Sequence, residues 1–80
     1  MLSELKTGPR VVGAKQTRRA VVDGRAKRVY LAQDADPVIT GPIEALCREH
    51  AVPVETAASL RELGQACGIA VGAAVAALVG

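Results

Sequence analysis

Lys15, Gln16 and Arg19 are the residues of this 80-residue chain whose types and spacing could do chemistry, and that chemistry is the recognition of an anion. Lys15 and Arg19 lie four residues apart with Gln16 beside them, so a helix would gather two cations and an amide on one face. Thr17, Ala20 and Val21 would fall on the other face, where they can be buried. The stretch follows Val11 and Val12, which read as a short strand, and a turn at Gly13, and it stops at Gly24. Lys15 and Gln16 therefore sit in a first helical turn, where free backbone N–H groups and the positive end of the helix dipole attract anions. Gly13 would let a phosphate backbone come close. An ordinary solvated helix face is the other reading of these residues. Against it, Lys15, Arg18 and Arg19 crowd a helix start where the dipole favours Asp or Glu.

Other residues with chemical potential assemble into no enzyme constellation. Asp34 and Asp36 are close in sequence, but they lie in a turn with Pro37, where Asp is a routine turn former. His50 falls at a helix end, where it satisfies the dipole rather than acting as a base. Cys47 falls on an apolar helix face, and Cys67 beside Gly68 has no base paired with it in sequence. The two cysteines and one histidine form no metal-ligand spacing, so no catalytic residue, cofactor or metal is expected. Gly64, Gly68 and Gly72 recur every four residues without the Lys-Ser/Thr of a phosphate loop.

The elements that must position the cationic helix follow from composition and punctuation. Eighty residues make one domain with one modest core. Half the chain is hydrophobic, yet Tyr30 is the one aromatic, so the core must be built from Val, Leu, Ile and Ala. The lack of Phe and Trp argues against the stacking platforms that hold single-stranded bases. Net charge is only +2, but eight basic residues and one acidic residue fall between Lys6 and Arg28, against two basic and six acidic from Val29 onward. A basic segment on a nearly neutral chain is the footprint of a localised polyanion site with salt-dependent affinity. The cysteine usage predicts two reduced, partly buried thiols in a cytoplasmic protein. The first six residues lack the apolar run of a signal peptide, and the apolar stretch from Gly68 to Gly80 falls short of the ~20 residues that span a bilayer, so no membrane partner is expected.

In order, Leu2 to Lys6 predicts a turn or two of helix with Leu2 and Leu5 inward, ended by Gly8-Pro9. Val29 to Ala32 reads as a second strand, followed by a turn at Asp34, Asp36 and Pro37. Thr40-Gly41-Pro42 sets up a helix with Pro42 near its first position and Ile43, Leu46 and Cys47 on one side. Val52 to Thr56 reads as a third strand with Pro53 off the ladder. Ser59 and Glu62 make a capping box for a helix to about Ala66. The segment from Gly68 to Gly80 fits either helix or a central strand, and the strand is expected because three strand–helix units need a partner.

Three blocks resemble a known family in order and in content. Val12-Gly13-Ala14-Lys15-Gln16-Thr17-Arg18-Arg19-Ala20, Ala32-Gln33-Asp34-Ala35-Asp36-Pro37, and Leu63 to Ala74 resemble the kink-turn RNA-binding ribosomal-protein family (the L-seven-Ae / L-thirty-e superfamily). The chain is most similar to small bacterial members with Lys-Gln in the first block, where archaeal and eukaryotic members have Asn-Glu.

The resemblance implies an α/β fold, a three-layer α-β-α sandwich with a mixed four-stranded sheet. It implies a non-enzymatic RNA-binding protein that recognises a kink-turn in ribosomal RNA or an mRNA leader, with the ribosome as a possible home and a monomer as the default. By position, Gln16 would bond guanine edges of sheared G·A pairs, Lys15 beside it, and Arg19 would contact phosphate or base. Gly13 and Ala14 would allow close approach, Asp36 and Thr40 would border a flipped-out base, and Ile69, Ala70 and Val71 would form an apolar lid against the bulge. Arg18, Arg25, Lys27 and Arg28 would supply diffuse phosphate attraction. A structural ribosomal protein without selective kink-turn binding is the alternative.

Overall fold

A computed structural model describes residues 3–80. In chain order the elements are α1 (Ser3–Thr7), β1 (Arg10–Val12), α2 (Ala14–Val22), β2 (Ala26–Ala32), α3 (Pro37–Glu49), β3 (Val54–Ala57), α4 (Leu60–Ala66) and β4 (Val75–Val79). The strands form one sheet in the order β1-β4-β2-β3. Strand β4 is antiparallel to both β1 and β2, while β2 and β3 are parallel. Hence β1, β2 and β3 all run one way and β4 runs the other.

Alternation along the central strands explains why both sheet faces are covered. On β2, Val29 and Leu31 point to one face and Tyr30 and Ala32 to the other. On β4, Val75 and Ala77 join the first set and Ala76 the second. The first face packs against Val21 of α2 and Ile43 and Cys47 of α3. The second packs against Leu5 of α1 and Leu63, Ala66 and Cys67 from the α4 region. The result is the helix, sheet, helix layering implied by the resemblance. Small side chains let the layers close tightly with one aromatic, Tyr30, which supplies bulk under α1 and α4 together with Leu5 and Leu63. Leu2, expected to point inward beside Leu5, lies outside the described residues.

Three helices end in one device. After α2, α3 and α4 the residue past the cap has a positive φ: Gly24 at 75°, Ala51 at 56° and Gly68 at 77°. In each case the next amide reaches back to the helix, Arg25 to the Ala20 carbonyl, Val52 to that of Cys47 and Ile69 to that of Gly64. This is the Schellman closure, which satisfies carbonyls that a helix end leaves orphaned.

Several boundaries differ from expectation. Helix α3 starts at Pro37, five residues before the expected start, because the Asp36 carboxylate accepts the Val38 amide at 2.9 Å and Pro37 takes the first position. Pro42 is thereby an interior residue of that helix. Strand β2 begins at Ala26 rather than Val29, carried by its ladder to β4, and β3 begins after Pro53. The closing strand is confined to Val75–Val79, and residues 68–74 form a loop. The loop is a topological need: β4 starts at the end of the sheet where α4 also starts, so the chain must first climb back along α4. Ser59 caps α4 as expected, accepting the Glu62 amide at 3.0 Å.

Candidate nucleic-acid interface

Because β1, β2 and β3 share a direction, their carboxyl ends and the start of β4 gather at one end of the sheet. Hydrogen bonds tie the connections there into a continuous rim. The Gly13 amide donates to the Val75 carbonyl at 2.9 Å, and that of Ala32 to the Ala74 carbonyl at 2.9 Å. The Gln33 amide donates to the Ala57 carbonyl at 2.8 Å, and the Asp34 carboxylate accepts the Leu60 amide at 2.6 Å. The Ala73 amide then donates to the Leu60 carbonyl at 3.0 Å. Gly13 to Gln16, Asp36, Thr40 and the end of the 68–74 loop thus share one end of the molecule. Open α/β sheets hold ligands beyond the carboxyl ends of their strands.

The start of α2 is built to leave its amides available. Gly13 is the N-cap, with no side-chain cap bond and no acidic residue in the first turn. Its φ of 102° and ψ of 154° let the strand turn directly into the helix. Thr17, Ala20 and Val21 are buried as expected, and Lys15, Gln16, Arg18 and Arg19 are exposed. At about 100° per residue, Lys15 and Arg19 point outward, Arg18 turns toward α3 and Gln16 takes the flank away from α3. An exposed cationic first turn concentrates positive potential where the helix dipole is already positive.

Across from Arg18 the first turns of α3 contribute an apolar wall. Ala14, Lys15 and Arg18 face Val38, Ile39, Pro42 and Ile43 across an open groove. Val38 is 79% exposed, a large apolar side chain in water beside two cations. Sequence reasoning missed Val38 and Ile39. The signal was the apolar pair directly after Asp36-Pro37, which reads as the outer face of a first turn once the helix is started at Pro37. Asp36 is occupied as the cap of this helix, and Thr40, one turn on, is half-buried.

The loop before β4 divides the three residues expected to act as a lid. Ile69 is half-buried and packs against the α1/α4 core. Ala70 is exposed and Val71 is 71% exposed, so these two present the loop's outer surface. The loop lies flat on α4 because Gly64 has no side chain: a Cβ there would collide with the Val71 carbonyl oxygen. Gly72 packs similarly close on Leu60, where a Cβ would come within 3.0 Å of the Leu60 Cβ. Gly64 and Gly72 are therefore a packing device for this loop, while Gly68 between them ends α4 in the left-handed conformation.

Two of the other arginines and both thiols are held within the fold. Arg28 pairs with Glu4 at 2.7 Å and Arg25 with Asp23 at 3.7 Å, so both are engaged locally. Cys47 and Cys67 are free and buried on opposite faces of the sheet, which keeps them apart. Burial pushes both thiols above their ordinary pKa, the reverse of an activated nucleophile. Among the described residues, no group of three or more His, Cys, Asp or Glu side chains could hold a metal ion, and no helix is long and apolar enough to cross a membrane.

Residues 2–80 match the family model described as ribosomal protein L7Ae/L30e/S12e/Gadd45. The chain belongs to this family. A relative named as an RNA-binding protein, from Geobacillus sp. (strain WCH70), is 45% identical over 75 residues, covering 94% of this chain and 92% of that protein. The RNA-binding protein YbxF of Geobacillus stearothermophilus is 44% identical over 75 residues, with the same coverage of 94% and 92%. Among solved structures, the Giardia lamblia 15.5kD RNA binding protein superposes with a TM-score of 0.92 at 31% identity, covering 99% of this chain and 70% of that one. The L7Ae-family fold and the layered sheet described above are thus the same architecture.

Proposed function

We propose that this protein binds RNA at kink-turns, holding the bent form by its differential affinity for kinked over extended duplex. RNA binding is supported by the names of the family relatives in Geobacillus and Giardia. The observation that carries the finer reading is an uncapped cationic helix start at one end of the sheet and a glycine-flattened loop, with an exposed Val71, that runs up α4 to that same end. A kink widens a groove that regular A-form RNA keeps closed, so short side chains on a helix start reach base edges. Gln16 reads guanine edges, Lys15 and Arg19 hold phosphate, Gly13 and Ala14 admit the backbone, and Ala70 and Val71 cover the bulge. Asp36 and Thr40 border an extruded base at the start of α3.

The test compares Gln16→Ala with Arg18→Ala on a kink-turn and on a plain duplex of equal length. Gln16→Ala should weaken kink-turn binding by about tenfold or more, as loss of a base-edge contact costs ~1–3 kcal/mol, and leave duplex binding nearly unchanged. Arg18→Ala should weaken both RNAs by a similar small factor and lower the salt slope. Equal losses for the two variants in a gel shift would overturn the assigned readout. The ribosomal-protein family supports a second reading, a ribosome constituent without kink-turn selectivity. Ribosome cosedimentation with no binding to an isolated kink-turn would favour it.

A further inference from the structure

We infer that Arg10 is a positioning residue for the 69–72 loop, joining that loop to the start of α2 so that both meet one RNA bend. The inference rests on the RNA reading above. It starts from a hydrogen bond between distant parts of the chain: the Arg10 Nε–H donates at 2.9 Å to the carbonyl of Cys67, the C-cap of α4. The Schellman closure at this helix end satisfies the Gly64 and Gln65 carbonyls through the Ile69 and Gly68 amides. The Cys67 carbonyl projects past them and needs a donor from outside the helix. A guanidinium supplies one and also meets the negative end of the helix dipole.

The surroundings fit this bond. Gly68 carries no side chain, and a Cβ there would stand 3.3 Å from the Arg10 Nη2. Immediately beyond Gly68 the loop turns back along α4, pinned by the Ile69 amide on the Gly64 carbonyl at 3.1 Å and the Ala73 amide on the Leu60 carbonyl at 3.0 Å. The loop is therefore a rigid extension of α4. Arg10 ties the foot of that unit to β1, and three residues further along β1 the chain reaches Gly13 and the cationic turn. Arg10 thus adds a second tie, at the foot of the loop, to the one that the Gly13–Val75 bond and the β1–β4 ladder make at its far end. Sequence reading counted Arg10 only as one more positive charge.

The competing role is a direct phosphate contact, and two variants separate the roles. Arg10→Gln keeps an N–H donor the same number of bonds from the backbone as Nε and removes the charge; Arg10→Met removes both donor and charge at similar length. Each is measured for affinity to a kink-turn RNA across a salt series, for amide hydrogen exchange at Gly68 and Ile69, and for Tm. Positioning predicts that Arg10→Met loses about fivefold in affinity, as expected for one hydrogen bond, with an unchanged salt slope. Exchange at Gly68 and Ile69 should rise with it, while Arg10→Gln stays within about twofold of the parent on both measures. Equal losses in the two variants with a salt slope reduced by about 0.7–0.9 would make Arg10 a phosphate contact and overturn the inference. So would parental affinity in Arg10→Met. If the unaltered protein binds kinked and plain RNA alike, the function proposed above fails, and the exchange rates by themselves then decide whether Arg10 holds the loop.

Discussion

Gly13 and Gly64 are both required, for opposite physical reasons. At Gly13 the backbone, with φ 102° and ψ 154°, lies in a region open essentially to glycine alone, although nothing stands within 4 Å of where a Cβ would go. At Gly64 the backbone is plain right-handed helix, and it is the Val71 carbonyl that excludes a side chain. Gly13→Ala should therefore destabilise the fold by ~1–3 kcal/mol, read as a lowered urea midpoint at constant m value. The Gly13 reading as a turn was open to sequence inspection because two β-branched residues precede it. The Gly64 requirement was not, since it depends on a loop that passes over the helix only in three dimensions.

At the scale of elements, the helix ends show which local rules were obeyed and which were overruled. Gly24 and Gly68 fill the left-handed position that ends α2 and α4, and α3 ends on Ala51 in that position with a φ of 56°. An alanine there carries a steric penalty of roughly 1–2 kcal/mol that glycine avoids. Ala51→Gly should stabilise the protein by ~1 kcal/mol, after the extra chain entropy of glycine is set against the relieved strain, and raise Tm by several degrees. The start of α3 was misplaced from sequence because two prolines compete for one role. Pro42 looked like a first helical residue, but Asp36 and Pro37 supply a better cap and a pre-set φ, and packing of Ile43 and Cys47 holds the helix through Pro42.

At the scale of the whole molecule, Tyr30 reports on the core. It is the one aromatic of the chain and is fully buried on the α1/α4 face of the sheet. Burial is the main cause that raises its phenol above the ordinary 10.0, with Arg28 acting in the opposite sense. A raised folded pKa means that the fold favours the neutral phenol. Its contribution is fully present below pH 10 and is lost as pH rises through the folded value. An ultraviolet absorbance titration should therefore show a single phenol ionising above pH 10, together with alkaline loss of helix ellipticity. Ionisation at or below the ordinary value in a folded protein would contradict the packing described for the α1/α4 face.

What the sequence determined by itself was local. The cationic face of α2, its burial face of Thr17, Ala20 and Val21, the Ser59 cap and the order of strands and helices up to α4 follow from periodicity and punctuation within a few residues. Only the tertiary structure decided that Ile69 turns inward while Val71 faces out, that Val38 and Ile39 wall a groove beside Lys15, and that Arg10 reaches the Cys67 carbonyl. Those facts rest on a strand, β4, that runs against its neighbours and returns the chain to the end where α2 starts. Such contacts join residues far apart in the chain, 57 positions for Arg10 and Cys67, where spacing carries no signal and only the closure of the fold fixes who meets whom.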